Sequence, residues 1–369
     1  MIGIFPFVCA TILAVTVDGQ VNVNICPNRG KRFFVKDVEN AFNKVKDVFE
    51  GPVKSWFEEF FEIDIKNVKK SFTCQEYWMT NLPEHIRRRP LKNLVIPGSH
   101  NSFTIDHEVK SGNNFVPGEY GAAERWMKLV RPIVRDMSVT QDMNVMQQLQ
   151  LGIRYFDIRT IFGKPRDNAP LDFYAAHGLY GGPSIQKLHH VKNFLDTHPR
   201  EVVILFYQRF HEISPQRHEE HVSLINGVLG DKIVPCNIFD PNRSSLEDIL
   251  AAGRQVLVIY MGRFCHPRLY LDNPFKSINK PGDLVKFMDQ SLQTRTNQRL
   301  HVLQAVMQFK PDAIATCLKF KCASLKTYGK RSNALLAQWL NGKKNLNIVM
   351  VDYVEYAGIV NVIIAKNYE

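Results

Sequence analysis

The chain has 369 residues, of which 45% are hydrophobic and 22% are charged, and its formal net charge at pH 7 is +11. This is ordinary globular composition, with enough apolar material for a large core. The basic residues are scattered, and the sequence has no zinc-finger spacing and no RNP-like aromatic strand, so nucleic acid is not the predicted partner. The positive charge instead suits an anionic membrane or a phosphorylated substrate.

Residues 1–19 predict a signal peptide. An apolar run from Ile2 to Val17 is too short to span a membrane and is followed by Gly19, a small residue after which we expect cleavage. The run lacks the basic residues that usually precede such a segment, and an N-terminal strand or a buried helix is the alternative. No other segment is long and apolar enough to span a bilayer, so we predict a secreted, extracellular protein.

Six cysteines follow the predicted signal, and this even number fits an exported protein. None belongs to a C-x-x-C pair, so disulfides are favoured over a zinc site. The alternative is a cytosolic protein with six buried free thiols. The order of the cysteines along the chain predicts the bridges Cys26–Cys74, Cys236–Cys265 and Cys317–Cys322.

Residues 20–90 predict a mostly helical N-terminal extension. Apolar residues recur at helical spacing between Val35 and Phe49, and Gly51 and Pro52 end that pattern. A second segment, from Trp56 to Phe61, sets aromatic residues among charges. We interpret the two as helices packed on the main domain, with a membrane-surface amphipathic element as the alternative.

Residues 91–369 predict one barrel domain, because short apolar strands alternate with helical stretches such as 184–199 and 245–253. Continuous Val, Ile and Leu runs indicate parallel strands buried on both faces. No glycine-rich nucleotide-binding turn accompanies them. The expected fold class is therefore α/β, a distorted TIM barrel with an added N-terminal helical segment. The candidate strands are 93–100, 152–160, 173–180, 201–210, 255–262 and 347–354.

Polar residues lie near the carboxyl end of nearly every candidate strand, which is where a TIM barrel builds its active site. A buried aspartate in the last strand would be costly without a partner, and an imidazole on the same rim is the expected one. The residues of this rim are His100, Asp157, Arg159, His177, Tyr207, Arg209, Tyr260 and Asp352.

Two histidines and an arginine suit general acid–base phosphoryl transfer. One imidazole takes a proton from the attacking hydroxyl and the other gives a proton to the leaving oxygen. A guanidinium binds the phosphate oxygens with two hydrogen bonds. The rim has no acidic cluster of the kind that holds calcium or magnesium and no nucleophilic Ser or Cys motif, so we predict neither a metal nor a cofactor.

Five segments in chain order resemble the X domain of phosphatidylinositol-specific phospholipase C, particularly its metal-independent, bacterial-like type. They are IPGSHNS, GIRYFDIR, AAHGLYGG, EVVILFYQRF and NIVMVDYV, and the similarity runs from about residue 91 to residue 360. The family fold is a distorted TIM barrel, which agrees with the strand pattern.

The resemblance implies a role for each matching residue. His100 is the implied general base for the inositol 2-hydroxyl, and His177 is the implied general acid for the diacylglycerol oxygen. Arg159 takes the place of calcium, Asp157 is the carboxylate beside it, and Asp352 orients the base. The calcium-dependent members have a glutamate two residues before the aspartate of the second strand, where this chain has tyrosine.

The sequence departs from the family pattern next to the base. Bacterial members have an aspartate directly after the base histidine, where it assists the general acid, and this chain has Asn101. An amide can form hydrogen bonds but cannot relay a proton. In place of the basic pair expected around the inositol hydroxyls, the chain offers Tyr207, Arg209 and Tyr260, which with Asn101 are the candidate substrate-binding residues.

These observations predict a secreted phosphodiesterase that cleaves phosphatidylinositol, or a glycosyl-phosphatidylinositol lipid, to diacylglycerol and an inositol cyclic phosphate. The expected partner is such a phospholipid at a membrane surface. Because of Asn101, a phospholipid- or inositol-phosphate-binding protein with attenuated catalysis is one alternative. A related barrel phosphodiesterase for another head group is another.

Overall fold

A computed structural model describes residues 15–17, 20–22, 70–71, 73–121, 124–260, 264–265, 270–308 and 324–369. Strands β1 (Val15–Val17) and β2 (Gln20–Asn22) pair antiparallel. The rest of the predicted signal segment and the predicted helices before residue 70 lie outside the described residues.

Among the described residues, the main sheet has nine strands, and their ends carry the residues of the candidate site. The strands β8, β7, β4, β3, β11, β10 and β9 pair in that order and run parallel. Every residue of β8 and β11 is buried, as expected for apolar strands covered on both faces. The predicted α/β class and distorted TIM barrel are confirmed, and among the described residues the sheet stays open between β8 and β9. The strands are β3 (Ile96–Ser99), β4 (Tyr155–Gly163), β5 (Asp172–His177), β6 (Leu179–Pro183), β7 (Val203–His211), β8 (Val256–Tyr260), β9 (Leu271–Asp272), β10 (Leu300–Gln304) and β11 (Ile348–Val351).

One predicted strand is corrected by the structure. Residues 173–180 were expected to form one parallel barrel strand, but they belong to β5 and β6, which pair antiparallel. Strand β4 continues beyond the residues that pair with β3. Its carboxyl-terminal residues, from Thr160 to Gly163, pair antiparallel with β5. The reversal occurs at Gly178, whose φ of 68° favours glycine. The short strands β9 and β10 were not predicted from the sequence.

Helices cover the outside of the sheet. The predicted helices 184–199 and 245–253 are confirmed as α6 and α8, and α8 begins with a capping box between Ser245 and Asp248. In the part of the chain that the structure describes, no helix has the length and apolar character needed to cross a membrane. The helices are α1 (Trp78–Asn81), α2 (Glu84–Arg87), α3 (Glu124–Met127), α4 (Arg131–Ser138), α5 (Val145–Leu151), α6 (Ser184–Thr197), α7 (Pro215–Leu229), α8 (Leu246–Ala251), α9 (Pro281–Gln293), α10 (Leu325–Trp339) and α11 (Ile359–Ala365).

A disulfide joins the segment before α8 to the segment after β8. It links Cys236 to Cys265, as the order of the cysteines predicted. Cys74 is also disulfide-bonded. The predicted partner of Cys74, Cys26, lies outside the described residues, as does the predicted Cys317–Cys322 bridge.

Candidate active site

Three neighbouring parallel strands deliver the central residues of the site. Gly98 on β3 pairs with Tyr155 on β4 and with Met350 on β11. A Cβ on Gly98 would lie 2.7 Å from Cδ1 of Tyr155, so these strands need glycine to approach this closely. Side chains alternate between the faces of a strand, and therefore the residues two positions further along share one face. These residues are His100, Asp157 and Asp352.

His100 and Asp352 form a buried pair. Nδ1 of His100 lies 2.8 Å from Oδ1 of Asp352, and both side chains are almost fully buried. When Nδ1–H donates to this carboxylate, the Nε2 atom becomes the acceptor. The main chain of His100 is also fixed to β11, because the His100 amide donates to the Val351 carbonyl at 2.9 Å. The pair therefore presents Nε2 as a candidate base, as expected from the sequence.

Asn101 connects the histidine to Asp157. Its amide nitrogen Nδ2 lies 3.1 Å from His100 Nε2, and its backbone N–H donates to Oδ2 of Asp157 at 3.0 Å. Asn101 has a φ of 39°, in the left-handed region that asparagine tolerates better than most residues. Asp157 Oδ2 is 3.9 Å from His100 Nε2. Asn101 thus lies between the candidate base and a buried carboxylate.

Asp157 and Arg159 alternate with Ile158 along β4 and point to the same face. Burial raises the pKa of the Asp157 carboxyl, while His100 and Arg159 act in the opposite direction. Burial lowers the pKa of Arg159, and the charges of Asp157 and Glu119 oppose this. Within the described residues, Nε of Arg159 and Oδ1 of Asp157 have no hydrogen-bond partner. Most buried polar groups have a hydrogen-bond partner, so these two atoms need an explanation, and a role in catalysis is one.

His177 ends β5 and faces the base. The two imidazole rings are 6.0 Å apart between centroids at an angle of 75°. Nδ1 of His177 lies 3.1 Å from the Ser138 carbonyl, so Nδ1 carries the hydrogen and Nε2 is the atom that exchanges a proton. Burial and the charge of Arg159 lower the pKa of His177 to about 3.

A second group of charged residues lies beside these side chains, at the end of β7. A β-bulge puts Arg209 rather than Gln208 in register with Arg159. Arg209 is exposed, and its Nη1 atom is 3.5 Å from Oε1 of Glu119, which is also 3.4 Å from Nε2 of His211. Glu119 and His211 were not among the site residues predicted from the sequence. His211 had a local signal, because it follows Arg209 on the same strand, whereas Glu119 comes from a loop with no pattern of its own.

The structure does not bring Tyr207 and Tyr260 together with the base, and their expected place in the site is corrected. Tyr207 is in register with Ile158, so it points to the face opposite Asp157. Its ring packs against His221 of α7, with centroids 5.2 Å apart. The Tyr260 hydroxyl lies 2.7 Å from Nδ1 of His218 on the same helix. Both tyrosines therefore contribute to the contact between the sheet and α7.

The arrangement combines a carboxylate-oriented imidazole, a second imidazole and a guanidinium on one side of a barrel. Such a set can remove a proton from one oxygen, protonate another and neutralise a tetrahedral or phosphoryl anion between them. Among the described residues, no group of three or more His, Cys, Asp or Glu side chains could hold a metal ion.

Sequence comparisons identify relatives that match most of the chain. It is 31% identical over 304 residues to the PI-PLC X domain-containing protein 3 of Homo sapiens, covering 79% of this chain and 93% of that protein. It is 30% identical over 304 residues to the protein of the same name from Danio rerio, covering 79% and 92%. No family model matches the chain. The chain belongs to the PI-PLC X domain-containing protein family.

Two bacterial structures share the fold of this chain. The phosphatidylinositol-specific phospholipase C of S. aureus superposes with a TM-score of 0.56 at 16% identity, covering 79% of this chain and 97% of that one. The corresponding enzyme of Listeria monocytogenes gives a TM-score of 0.52 at 18% identity, covering 80% and 100%. The fold is therefore that of the phosphatidylinositol-specific phospholipase C barrel, a phosphodiesterase fold.

Proposed function

We propose that this chain is a secreted phosphodiesterase that cleaves phosphatidylinositol, or a glycosyl-phosphatidylinositol lipid, to diacylglycerol and an inositol cyclic phosphate. The observation that carries the proposal is the His100–Asp352 pair facing His177, with Arg159 on the same face of β4 as Asp157 and its charge acting on His177. The phospholipase names of its relatives and of the structures with its fold support the choice of lipid.

The proposed reaction uses each of these groups once. His100 Nε2 takes the proton of the inositol 2-hydroxyl, and that oxygen forms a bond to phosphorus. The bond from phosphorus to the glycerol oxygen breaks, and His177 supplies the proton that this oxygen needs to leave as an alcohol. The Arg159 guanidinium binds the non-bridging oxygens and stabilises their charge in the transition state. The proton gained by His100 and the one lost by His177 balance.

The charge of the protein fits a lipid substrate of this kind. The formal net charge of +11 attracts the chain to an anionic membrane surface, where phosphatidylinositol itself is anionic. The scattered distribution of the basic residues makes this a long-range attraction rather than a specific pocket.

Product analysis tests the proposal directly. Purified protein is incubated with phosphatidylinositol vesicles in EDTA, and phosphorus NMR follows the products. We expect a five-membered cyclic phosphate signal to grow while the diester signal declines, and phosphatidylcholine vesicles to stay unchanged because their head group has no neighbouring hydroxyl. A vesicle sample that stays intact with and without added calcium would contradict the proposed reaction.

One observation favours a second candidate function, a phosphatidylinositol-binding protein with attenuated catalysis. The Asn101 amide contacts His100 Nε2 at 3.1 Å, where the substrate hydroxyl would have to bind. For this candidate, the same vesicles would retain the protein in a sedimentation assay without releasing cyclic phosphate. The two functions therefore differ in the product and not in the binding.

We also propose that the chain is exported, and two observations support this: Cys236 is bonded to Cys265, and Cys74 is disulfide-bonded. Such bonds persist in oxidising compartments. Expressed in a secretory host, the mature protein is expected to begin near residue 20 and to show no free thiol in denaturant. N-terminal sequencing and thiol titration measure both. An intact N-terminus together with titratable thiols would refute export.

A further inference from the structure

The candidate acid, His177, has no carboxylate partner in the two aspartates at the strand ends, Asp157 and Asp352. Asp352 is hydrogen-bonded to His100, and Asp157 also lies beside His100 rather than in contact with His177. The residue that follows the base is Asn101, whose amide carries no charge. Among the described residues, Glu119 is the acidic side chain whose charge acts on His177.

The loop that carries Glu119 is attached to the backbone around His177. The Val116 N–H donates to the Gly178 carbonyl at 2.9 Å, and the Glu119 N–H donates to the Val116 carbonyl at 3.3 Å. On the other side of Glu119, the Tyr120 hydroxyl lies so close to Gly178 that a Cβ there would collide with it. Glu119 is therefore fixed relative to His177 from both sides.

Glu119 lies beside two arginines and two histidines and is ionised. Burial alone would raise the pKa of its carboxyl, but the charges of His177, Arg159, His211 and Arg209 together hold that pKa below its usual value. The contacts are direct to His211, at 3.4 Å, and to Arg209, at 3.5 Å. The carboxylate thus stays negative at neutral pH, where it can stabilise a neighbouring cation.

His177 needs such stabilisation to act as an acid. Its Nδ1–H is committed to the Ser138 carbonyl, so it must become an imidazolium to hold a transferable proton on Nε2. Burial, Arg159 and His100 all oppose a positive charge on His177, whereas Glu119 and the Ser138 carbonyl favour it. The nearby Tyr120 phenol is neutral, because burial raises its pKa to about 12.

We propose that Glu119 is a positioning residue for the acid step, whose carboxylate stabilises the protonated His177 that donates to the leaving oxygen. The inference rests on the proposed function. Glu119 keeps its own charge throughout: the phosphorus–oxygen bond breaks, the Nε2 proton goes to the departing oxygen, and His177 becomes neutral. A purely structural role, as an ion-pair partner of Arg209, is the competing explanation.

Two substrates with different leaving groups distinguish these two explanations. A glycerol oxygen is a poor leaving group and needs a proton, whereas a 4-nitrophenolate leaves without one. We measure kcat and KM of Glu119→Gln on phosphatidylinositol and on the 4-nitrophenyl phosphodiester of inositol. General acid catalysis contributes about 10²–10⁴-fold to a rate. Glu119→Gln is therefore expected to lower kcat on the lipid at least about tenfold, and kcat on the aryl ester less than about twofold.

The pH profile supplies a second readout. The alkaline limb of kcat/KM reports the protonated acid, and removing a negative charge lowers the pKa of an imidazolium. Glu119→Gln should move this limb to lower pH by about one unit, and Glu119→Asp, which restores the charge, should move it back. The matched control is Glu124→Gln, which removes a carboxylate that pairs with Lys128 at 3.1 Å on the protein surface and should leave rate and profile unchanged.

Each other outcome overturns the inference. Equal losses on both substrates with an unmoved alkaline limb would make Glu119 a binding or structural residue. An unchanged rate on the lipid would show that His177 does not depend on it. Wild-type protein that cleaves neither ester would refute the proposed function itself, and this inference would fail with it.

Discussion

Replacing His100 by alanine is expected to lower turnover of phosphatidylinositol at least about a hundredfold, the lower end of what a general base contributes. A carboxylate orients this imidazole, because Nδ1 lies 2.8 Å from Asp352. His100 also directly follows strand β3, which gives it a rigid support. Without it, the 2-hydroxyl has no acceptor for its proton. Initial rates on vesicles measure the effect.

The variant must fold for this loss to be informative, because the substitution leaves the buried Asp352 without its partner. Circular dichroism and thermal unfolding check the fold, and binding to vesicles should survive. His189→Ala is the matched control, since His189 is exposed on α6. A folded His100→Ala protein with the wild-type rate would exclude His100 as the base.

Arg159→Lys is expected to lose about two orders of magnitude in kcat/KM, within the range for removing a transition-state donor, although the net charge is unchanged. A lysine ammonium cannot reproduce the planar fork that binds two phosphate oxygens. The Nε atom of Arg159 is buried and has no partner among the described residues, so part of this fork is not used in a hydrogen bond within the described protein. Rates in EDTA and in millimolar calcium, measured for wild type and variant, test the effect.

The same measurement tests metal independence. If the guanidinium supplies the positive charge, EDTA leaves the wild-type rate unchanged. The matched control is Arg243→Lys, an arginine whose side chain is 90% exposed. Wild-type activity that disappears in EDTA and returns with calcium would contradict the proposed role of Arg159.

The central residues of the site could be predicted because strand geometry determines their positions. His100, Asp157 and Asp352 each end or follow an apolar segment, and the carboxyl ends of parallel strands meet at one end of a barrel. This prediction requires only the approximate positions of the strands and the direction in which they run. The three residues lie together in the structure even though the exact strand bounds differ by a few residues from those expected.

The remaining residues depend on features that a sequence does not display. Tyr207 and Tyr260 belong to strands buried on both faces, and a continuous apolar run gives no alternation from which to tell the inner face from the outer one. The bulge at Gln208 then changes the face of the residues after it. Glu119 comes from a loop whose position is set by contacts with β5 and β6, and such contacts follow from the folded structure alone.

The bond between His100 and Asp352 joins residues that are 252 positions apart, on strands that are neighbours in the sheet. A nascent chain therefore lacks the partner of its candidate base until Asp352 has left the ribosome. Under the proposed function, a chain made at a membrane that contains the substrate cannot act on that membrane before β11 has been made. Chains released before that point would be inactive for the same reason, so this contact would restrict the proposed activity to molecules that contain β11.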